Sequence, residues 1–203
     1  MTQVDFLRHG HCLGGEIFRG STDVELSPEG WQQLRSKVSG HETRWDHIVS
    51  SPLQRCRQFA EELSRQSNTP LTVDERWREM SFGDWEGREV KEIWKSDKAS
   101  AIGYFTDPER QNTANIEPVE DIIHRLSGAW QTILDEHSGK RVLVVAHGGV
   151  IRFQLAAVLD LPLKAVGQIQ LPYAAISRIT AQDTLLGYRE VVQFINGTLD
   201  GHD

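Results

Sequence analysis

The chain has 203 residues and a formal net charge of −7, with 38% hydrophobic and 25% charged residues. That composition is typical of a globular protein. No apolar stretch approaches the ~20 residues of a bilayer span, and the N-terminus lacks the basic and apolar segments of a signal peptide. An acidic chain without Lys/Arg runs argues against a nucleic-acid partner. We therefore expect one cytoplasmic domain over residues 1–203 that binds neither membranes nor nucleic acids.

Short apolar runs predict the strands of a sheet. Continuous rather than alternating apolarity is typical of strands that are covered on both faces, as in a parallel sheet. Two later segments could extend this sheet as an antiparallel hairpin. The parallel candidates are residues 4–7, 47–51, 71–73 and 142–146, and the hairpin candidates are residues 176–180 and 190–195.

Helical patterns lie between these strands. Ser27 and Pro28 are typical of an N-cap and a first helical position, and Ser51 with Pro52 repeats the signal. An apolar stripe over residues 119–134 predicts the longest helix, and another helix is expected from residue 150 to about 159. Strands that alternate with helices predict an α/β fold, with a mostly parallel sheet and helices on both faces.

Two segments fit this alternation poorly. Residues 76 to about 115 are irregular and hold three of the six tryptophans, and we interpret them as a small lid over the carboxyl edge of the sheet. Residues 197–203 are expected to be a frayed tail.

Two of the predicted strands end in a His-Gly pair, at His9 and His147. Because parallel strands point the same way, both side chains should emerge at the edge where open α/β sheets bind ligands. If Ser51 caps the second helix, Arg55 is its fourth residue and joins the same edge, where the helix N-terminus favours anions. Arg8 adds a second guanidinium suited to phosphate. The pattern indicates a phosphoryl site.

Such a site suggests a chemistry that needs no metal. A neutral histidine attacks phosphorus if its other ring nitrogen is held as N–H, and flanking cations stabilise the charge on the phosphoryl oxygens. The leaving alkoxide needs a proton, for which Glu79, Asp84 and Glu86 are the nearby carboxyl candidates. Arg19 either reaches the substrate or forms a surface salt bridge.

Five motifs, in this order and spacing, resemble the histidine phosphatase superfamily with its phosphoglycerate-mutase-like three-layer fold. They are Phe6-Leu7-Arg8-His9-Gly10, residues 20–30, residues 50–56, residues 79–87 and Ala146-His147-Gly148-Gly149. The resemblance implies that His9 becomes phosphohistidine and that Glu79 is the proton donor. It also implies that Arg8, Arg55 and His147 bind the phosphate, with no metal or cofactor.

Within this superfamily, residues 79–87 and the compact length most resemble the α-ribazole-5′-phosphate phosphatases of cobalamin biosynthesis. The resemblance implies a hydrolase for a small phosphomonoester, and a homodimer stays open. Departures from the family pattern concern the contacts around the phosphate and therefore the substrate. They are His11, Cys12, Gly15 and the segment Ile116-Glu117-Pro118, which replaces Gly-Glu-Ser.

Other functions remain open beside this one. Within the enzymes they are a broad-specificity sugar- or nucleotide-phosphate phosphatase and, third, a phosphoglycerate mutase. A phospholigand-binding pseudo-enzyme would be expected to lack the nucleophile or the acid. The pair His9 and His11 also resembles a metal-ligand pair, but that interpretation leaves Arg8 and Arg55 unexplained beside a cation. Cys12 and Cys56 are expected as buried, reduced thiols.

Overall fold

The computed structural model describes residues 1–106 and 115–200. Its strands form one six-stranded sheet in the order β3-β2-β4-β1-β5-β6. The first four strands of that order run parallel, whereas β5 and β6 are antiparallel to their neighbours. The strands are β1 (Thr2–Arg8), β2 (His47–Ser50), β3 (Leu71–Val73), β4 (Arg141–Ala146), β5 (Ile176–Thr184) and β6 (Gly187–Phe194). The predicted parallel sheet with a terminal hairpin is confirmed.

Helices cover both faces of the sheet. Alternate residues of β4 belong to two separate apolar cores: Val142 and Val144 pack on one side, Leu143 and Val145 on the other. The first core includes α5 and α6, and the second includes α1 and α2. The helices are α1 (Pro28–Val38), α2 (Gln54–Ser67), α3 (Val90–Ser96), α4 (Lys98–Thr106), α5 (Val119–Glu136) and α6 (Gly148–Val158). The three-layer α/β prediction is therefore confirmed.

The two predicted Ser-Pro helix starts have different outcomes. Ser27 caps α1 as predicted, because its hydroxyl accepts from the Gly30 amide. The prediction for Ser51 is wrong: α2 begins at Gln54, so Arg55 is its second residue rather than its fourth. Ser51 Oγ instead lies 2.6 Å from the ring Nε2 of His147. Ser51 Oγ also accepts from the Leu53 amide over 3.3 Å, one residue before α2 begins.

The irregular segment between β3 and α5 carries two short 3-10 helices and the helices α3 and α4. Trp77 and Trp85 are fully buried in the larger core, whereas Trp94 is partly exposed. The part of the predicted lid over residues 107–114 lies outside the described residues. The described part is thus packed on the sheet domain by its tryptophans.

The chain end is more ordered than expected. Leu199 is buried in the second core, and the Gly197 amide donates to the Ile176 carbonyl. The prediction of a frayed tail is therefore wrong for residues 197–200, while residues 201–203 lie outside the described range. Across residues 1–106 and 115–200, no helix has the length and apolarity needed to cross a membrane.

Candidate active site

The carboxyl ends of β1 and β4 bring His9 and His147 together. Arg8 pairs with Ala146 in the parallel register, and the His9 amide donates to the Ala146 carbonyl over 3.0 Å. The two imidazole centroids lie 5.2 Å apart with their planes at 60°. Both side chains are buried, so their protonation depends on their neighbours in the protein.

His9 is held as a neutral ring in one orientation. Its Nδ1 lies 2.8 Å from the Gly10 carbonyl, which accepts a hydrogen bond only from a protonated Nδ1. Burial, Arg55 and Arg8 hold the pKa of His9 well below its usual value, which keeps the ring uncharged at neutral pH. The Nε2 lone pair is then available for nucleophilic attack.

His147 adopts the opposite tautomer. Arg55 Nε donates to its Nδ1 over 3.2 Å, so the ring proton resides on Nε2 and points to Ser51 Oγ at 2.6 Å. Burial and Arg55 hold the pKa of His147 well below its usual value as well. The two histidines thus differ: His9 Nε2 has no hydrogen-bond partner among the described residues, whereas both ring nitrogens of His147 contact the protein.

Arg55 is fully buried, and its guanidinium is bound by the loop of residues 20–22. Its Nη1 and Nη2 donate to the carbonyls of Thr22 (2.8 Å) and Gly20 (2.7 Å). With the bond to His147, three of the five guanidinium N–H groups are used within the described structure.

Glu86 supports that loop and is therefore not a free carboxylate. It accepts from the amides of Gly20, Ser21 and Thr22, from the Thr22 hydroxyl and from the Phe82 amide. Burial alone would raise the pKa of Glu86, but these hydrogen bonds outweigh it and the pKa lies below its usual value. The role of Glu86 is therefore to hold the loop that positions Arg55.

Arg8 is fixed against the segment before β5. Its Nη1 donates to the Leu171 carbonyl, and its guanidinium carbon lies 4.4 Å from the ring centroid of Tyr173. The buried Nε makes no hydrogen bond to any described residue. Burial lowers the pKa of Arg8, and an anionic ligand would offset that loss of hydration.

Glu79 lies against the first turn of α6. Its carboxylate accepts from the amides of Met80 (3.1 Å), Gly149 (3.0 Å) and Val150 (3.2 Å). A Cβ on Gly149 would lie 2.5 Å from Glu79 Oε1 and would therefore displace the carboxylate from this position. The third carboxyl candidate, Asp84, accepts from Asn115 on the surface.

These side chains meet at a cavity of about 290 Å³. Arg8, His9, Arg19 and Glu79 line it, whereas the fully buried Arg55 and His147 are not part of its lining. Arg19 Nη2 donates to the Leu13 and Gly15 carbonyls, and no carboxylate among the described residues pairs with it. The apolar and aromatic lining residues are Ile17, Phe18, Met80, Phe82, Tyr104, Phe153, Leu163, Val166 and Tyr173.

Sequence reasoning missed one wall of this cavity. Arg152 and Lys164 line it beside Tyr173 and the 3-10 helix Leu163–Gln168. Arg152 lies on α6, which begins at the sheet edge that carries the two histidines. Arg55 was predicted because its helix begins at this edge, and the same argument could have found Arg152. Its Nε donates to the Ile169 carbonyl over 2.7 Å, and burial lowers its pKa. No local pattern in the sequence indicated that Lys164 or Tyr173 lines the cavity.

Each cysteine lies beside one of the two histidines. Cys12 Sγ is 3.5 Å from His9 Nδ1, and Cys56 Sγ is 3.6 Å from His147 Nε2. Both thiols are buried and unpaired, and burial raises the pKa of each. Over residues 1–106 and 115–200, no group of three or more His, Cys, Asp and Glu side chains is placed to hold a metal ion.

The two buried histidines predict that the protein loses stability in acid. Because the folded pKa of His9 and His147 lies below the usual 6.5, protonation favours the unfolded chain. The free energy of unfolding is thus fully retained above pH 6.5 and falls below it, by up to about 1.4 kcal/mol per pH unit for each group. Urea unfolding between pH 5 and pH 7 measures this slope.

Two variants test the assignment. His9→Ala removes one such group, so its stability should fall less steeply below pH 6.5. His124→Ala changes an exposed histidine on α5 and should leave the slope unchanged. An unchanged slope in His9→Ala, or a wild-type protein that is more stable at pH 5 than at pH 7, would contradict the prediction.

An α/β fold that delivers two histidines and two arginines to the edge of a ligand cavity is the arrangement expected of an enzyme acting on phosphate esters. Residues 4–191 match the family model of the histidine phosphatase superfamily, branch 1. The chain belongs to this superfamily, and it is a phosphatase or a mutase of that family.

Known proteins resemble the chain over most of its length. "Putative phosphoserine phosphatase 2" of Hydrogenobacter thermophilus is 29% identical over 182 residues, which cover 88% of this chain and 89% of that protein. "Probable phosphoglycerate mutase GpmB" of Shigella boydii is 28% identical over 194 residues, with 91% and 87% covered. The α-ribazole phosphatase structure from Shigella flexneri has a TM-score of 0.79 at 19% identity, with 96% of each chain covered, which shows a shared fold.

Proposed function

We propose that the protein is a metal-independent phosphomonoester hydrolase that works through a phosphohistidine at His9. The observation that carries the proposal is the state of His9 itself. The ring is neutral, its Nδ1 is bound to the Gly10 carbonyl, and it lines a cavity beside the guanidinium of Arg8. A fixed neutral imidazole next to cations is the form that attacks a phosphoryl group.

The first step transfers the phosphoryl group to the protein. His9 Nε2 forms a bond to phosphorus while the bond from phosphorus to the alcohol oxygen breaks. Arg8 Nε and the nearby positive charge of the buried Arg55 stabilise the charge on the phosphoryl oxygens. Glu79, in its protonated form, gives its proton to the leaving oxygen, and the alcohol departs.

The second step regenerates His9. A water molecule attacks phosphorus, the Glu79 carboxylate takes up a proton from that water, and the bond from phosphorus to Nε2 breaks. Inorganic phosphate leaves with both protein side chains in their starting forms. Three backbone amides hold the Glu79 carboxylate in one place, as the proton acceptor of this second step requires.

We propose α-ribazole 5′-phosphate, in cobalamin biosynthesis in the cytoplasm, as the substrate to test first. Support comes from the cavity wall beyond the phosphate residues, which is largely apolar and aromatic, with Phe18, Phe82 and Phe153 among its side chains. Such a wall suits the aromatic base of this small molecule. The residues 79–87 that carry the family resemblance supply part of that wall.

A second candidate is a phosphomonoester that carries a second acidic group. Arg152 and Lys164 also line the cavity, and within the described residues neither forms a salt bridge. Two cations beyond those near His9 would favour a carboxylate on the alcohol half of the substrate. The phosphoserine phosphatase name of the Hydrogenobacter relative agrees with this candidate.

The test is phosphate release in excess chelator from a panel of substrates. The panel compares α-ribazole 5′-phosphate, phosphoserine, 3-phosphoglycerate, mononucleotides and p-nitrophenyl phosphate. We expect a kcat/KM at least about tenfold higher for α-ribazole 5′-phosphate, equivalent to some 1.4 kcal/mol of transition-state preference. A preference for phosphoserine supports the second candidate, and equal rates support broad specificity. Binding without turnover of any substrate contradicts the hydrolase proposal.

A further inference from the structure

Arg125 and Glu117 form a buried ion pair next to the segment that carries Glu79. Arg125 Nε donates to Glu117 Oε1 over 2.8 Å, and Arg125 Nη2 donates to Oε2 over 3.1 Å. The side chains are only 8% and 9% exposed. A two-bond arginine–carboxylate pair with so little exposure is geometrically rigid.

Both members of the pair also bind the backbone of that segment, on either side of Glu79. Arg125 Nη1 donates to the carbonyls of Arg76 (2.6 Å) and Arg78 (2.8 Å). Glu117 Oε2 accepts from the Ser81 amide over 3.1 Å, and the Glu117 amide donates to the Ser81 carbonyl over 2.9 Å. We call Arg125 and Glu117 together the α5 clamp.

The segment needs this support because it has little secondary structure of its own. The 3-10 helix Glu75–Trp77 ends before Glu79, and the next one begins at Gly83. The carboxylate of Glu79 is held by the start of α6, and the backbone on either side of Glu79 is held by the α5 clamp. Two different helices therefore determine where Glu79 lies in the cavity.

We propose that Arg125 and Glu117 are positioning residues for proton transfer by Glu79, an inference that rests on the proposed function of Glu79 as the acid. Neither Arg125 nor Glu117 lines the cavity, and both bind the backbone of the segment that carries Glu79. Loss of the α5 clamp should therefore slow reactions that need a proton on the leaving oxygen. A displacement of about 1 Å at a reacting group costs roughly 10²-fold in rate.

Arg125→Lys tests the proposal while keeping a positive charge beside Glu117. An ammonium group cannot bond both carboxylate oxygens and both carbonyls in the geometry of a guanidinium. We expect kcat/KM for an alkyl phosphate, a poor leaving group, to fall by roughly 10²-fold, and that for p-nitrophenyl phosphate by less than about threefold. Glu117→Gln, which keeps the side-chain shape, should show the same pattern to a smaller extent.

Two further variants make the result specific. Arg35→Lys alters an exposed pair with Glu62 that has the same two-bond geometry, and it should change neither substrate's rate. In a Glu79→Gln background, Arg125→Lys should cost less than about threefold on the alkyl phosphate, because the group it positions is already gone.

Different outcomes overturn different statements. The positioning role of the α5 clamp is refuted if Arg125→Lys lowers kcat/KM equally on both substrates. It is also refuted if the full loss on the alkyl phosphate persists in the Glu79→Gln background. Either result leaves Glu79 as the acid. If Glu79→Gln itself slows both substrates equally, Glu79 is not the acid, and the clamp's positioning role is refuted with it.

Discussion

Replacing His9 with alanine is expected to abolish phosphatase turnover, lowering kcat/KM by at least about 10⁴-fold on every substrate. The neutral ring, bonded through Nδ1 to the Gly10 carbonyl, is the group in the proposed mechanism that forms a bond to phosphorus. Arg8 would still line the cavity and bind phosphate, so the variant should retain substrate affinity. Initial rates and equilibrium binding of a phosphomonoester measure the two effects separately.

The fold should survive this change, because the removed side chain lies at the sheet edge beside the cavity rather than in either apolar core. Circular dichroism and thermal unfolding check that point, with the exposed His124→Ala as the control. Wild-type protein quenched during turnover should carry one phosphoryl group, and His9→Ala should carry none. Retained activity in His9→Ala would contradict the phosphohistidine mechanism.

Asp5→Asn is expected to lower the free energy of unfolding by about 3–5 kcal/mol, since it removes the negative charge from a buried, hydrogen-bonded ion pair. Asp5 of β1 faces Arg178 of β5 in the antiparallel register. Its oxygens lie 2.7 Å from Arg178 Nε and 3.2 Å from Nη2, and Trp45 Nε1 donates to Oδ2 over 2.9 Å. Both charged side chains are almost completely buried.

Chemical denaturation measures this loss, and the exposed pair of Arg35 and Glu62 supplies the matched control. Glu62→Gln should cost no more than about 1 kcal/mol, because solvent already weakens that pair. Replacing both Asp5 and Arg178 with leucine and methionine should cost less than Asp5→Asn alone, since no charge is then left buried. A loss in Asp5→Asn no larger than in Glu62→Gln would contradict the prediction.

The elements of the fold were predictable from the sequence where the signal is local. Continuous apolar runs marked β1, β2, β3 and β4, and the Ser27-Pro28 start marked α1. The same local logic failed at Ser51 and at the chain end. In both places the structure has a contact with residues far along the chain: Ser51 Oγ lies beside His147 Nε2, and Leu199 is buried in the second core.

The candidate site divides in the same way. The sequence by itself determined that His9 and His147 follow parallel strands, and hence that they meet at one edge with Arg8 and Arg55. Only the tertiary structure decided that Glu86 supports the Arg55 loop, that Arg152 lines the cavity and that Arg125 holds the segment of Glu79. The physical reason is the distance along the chain between the residues involved. Continuous apolar runs, a local signal, predict parallel strands. The contacts of Glu86, Arg152 and Arg125 join separate parts of the chain and exist only after the layers have packed.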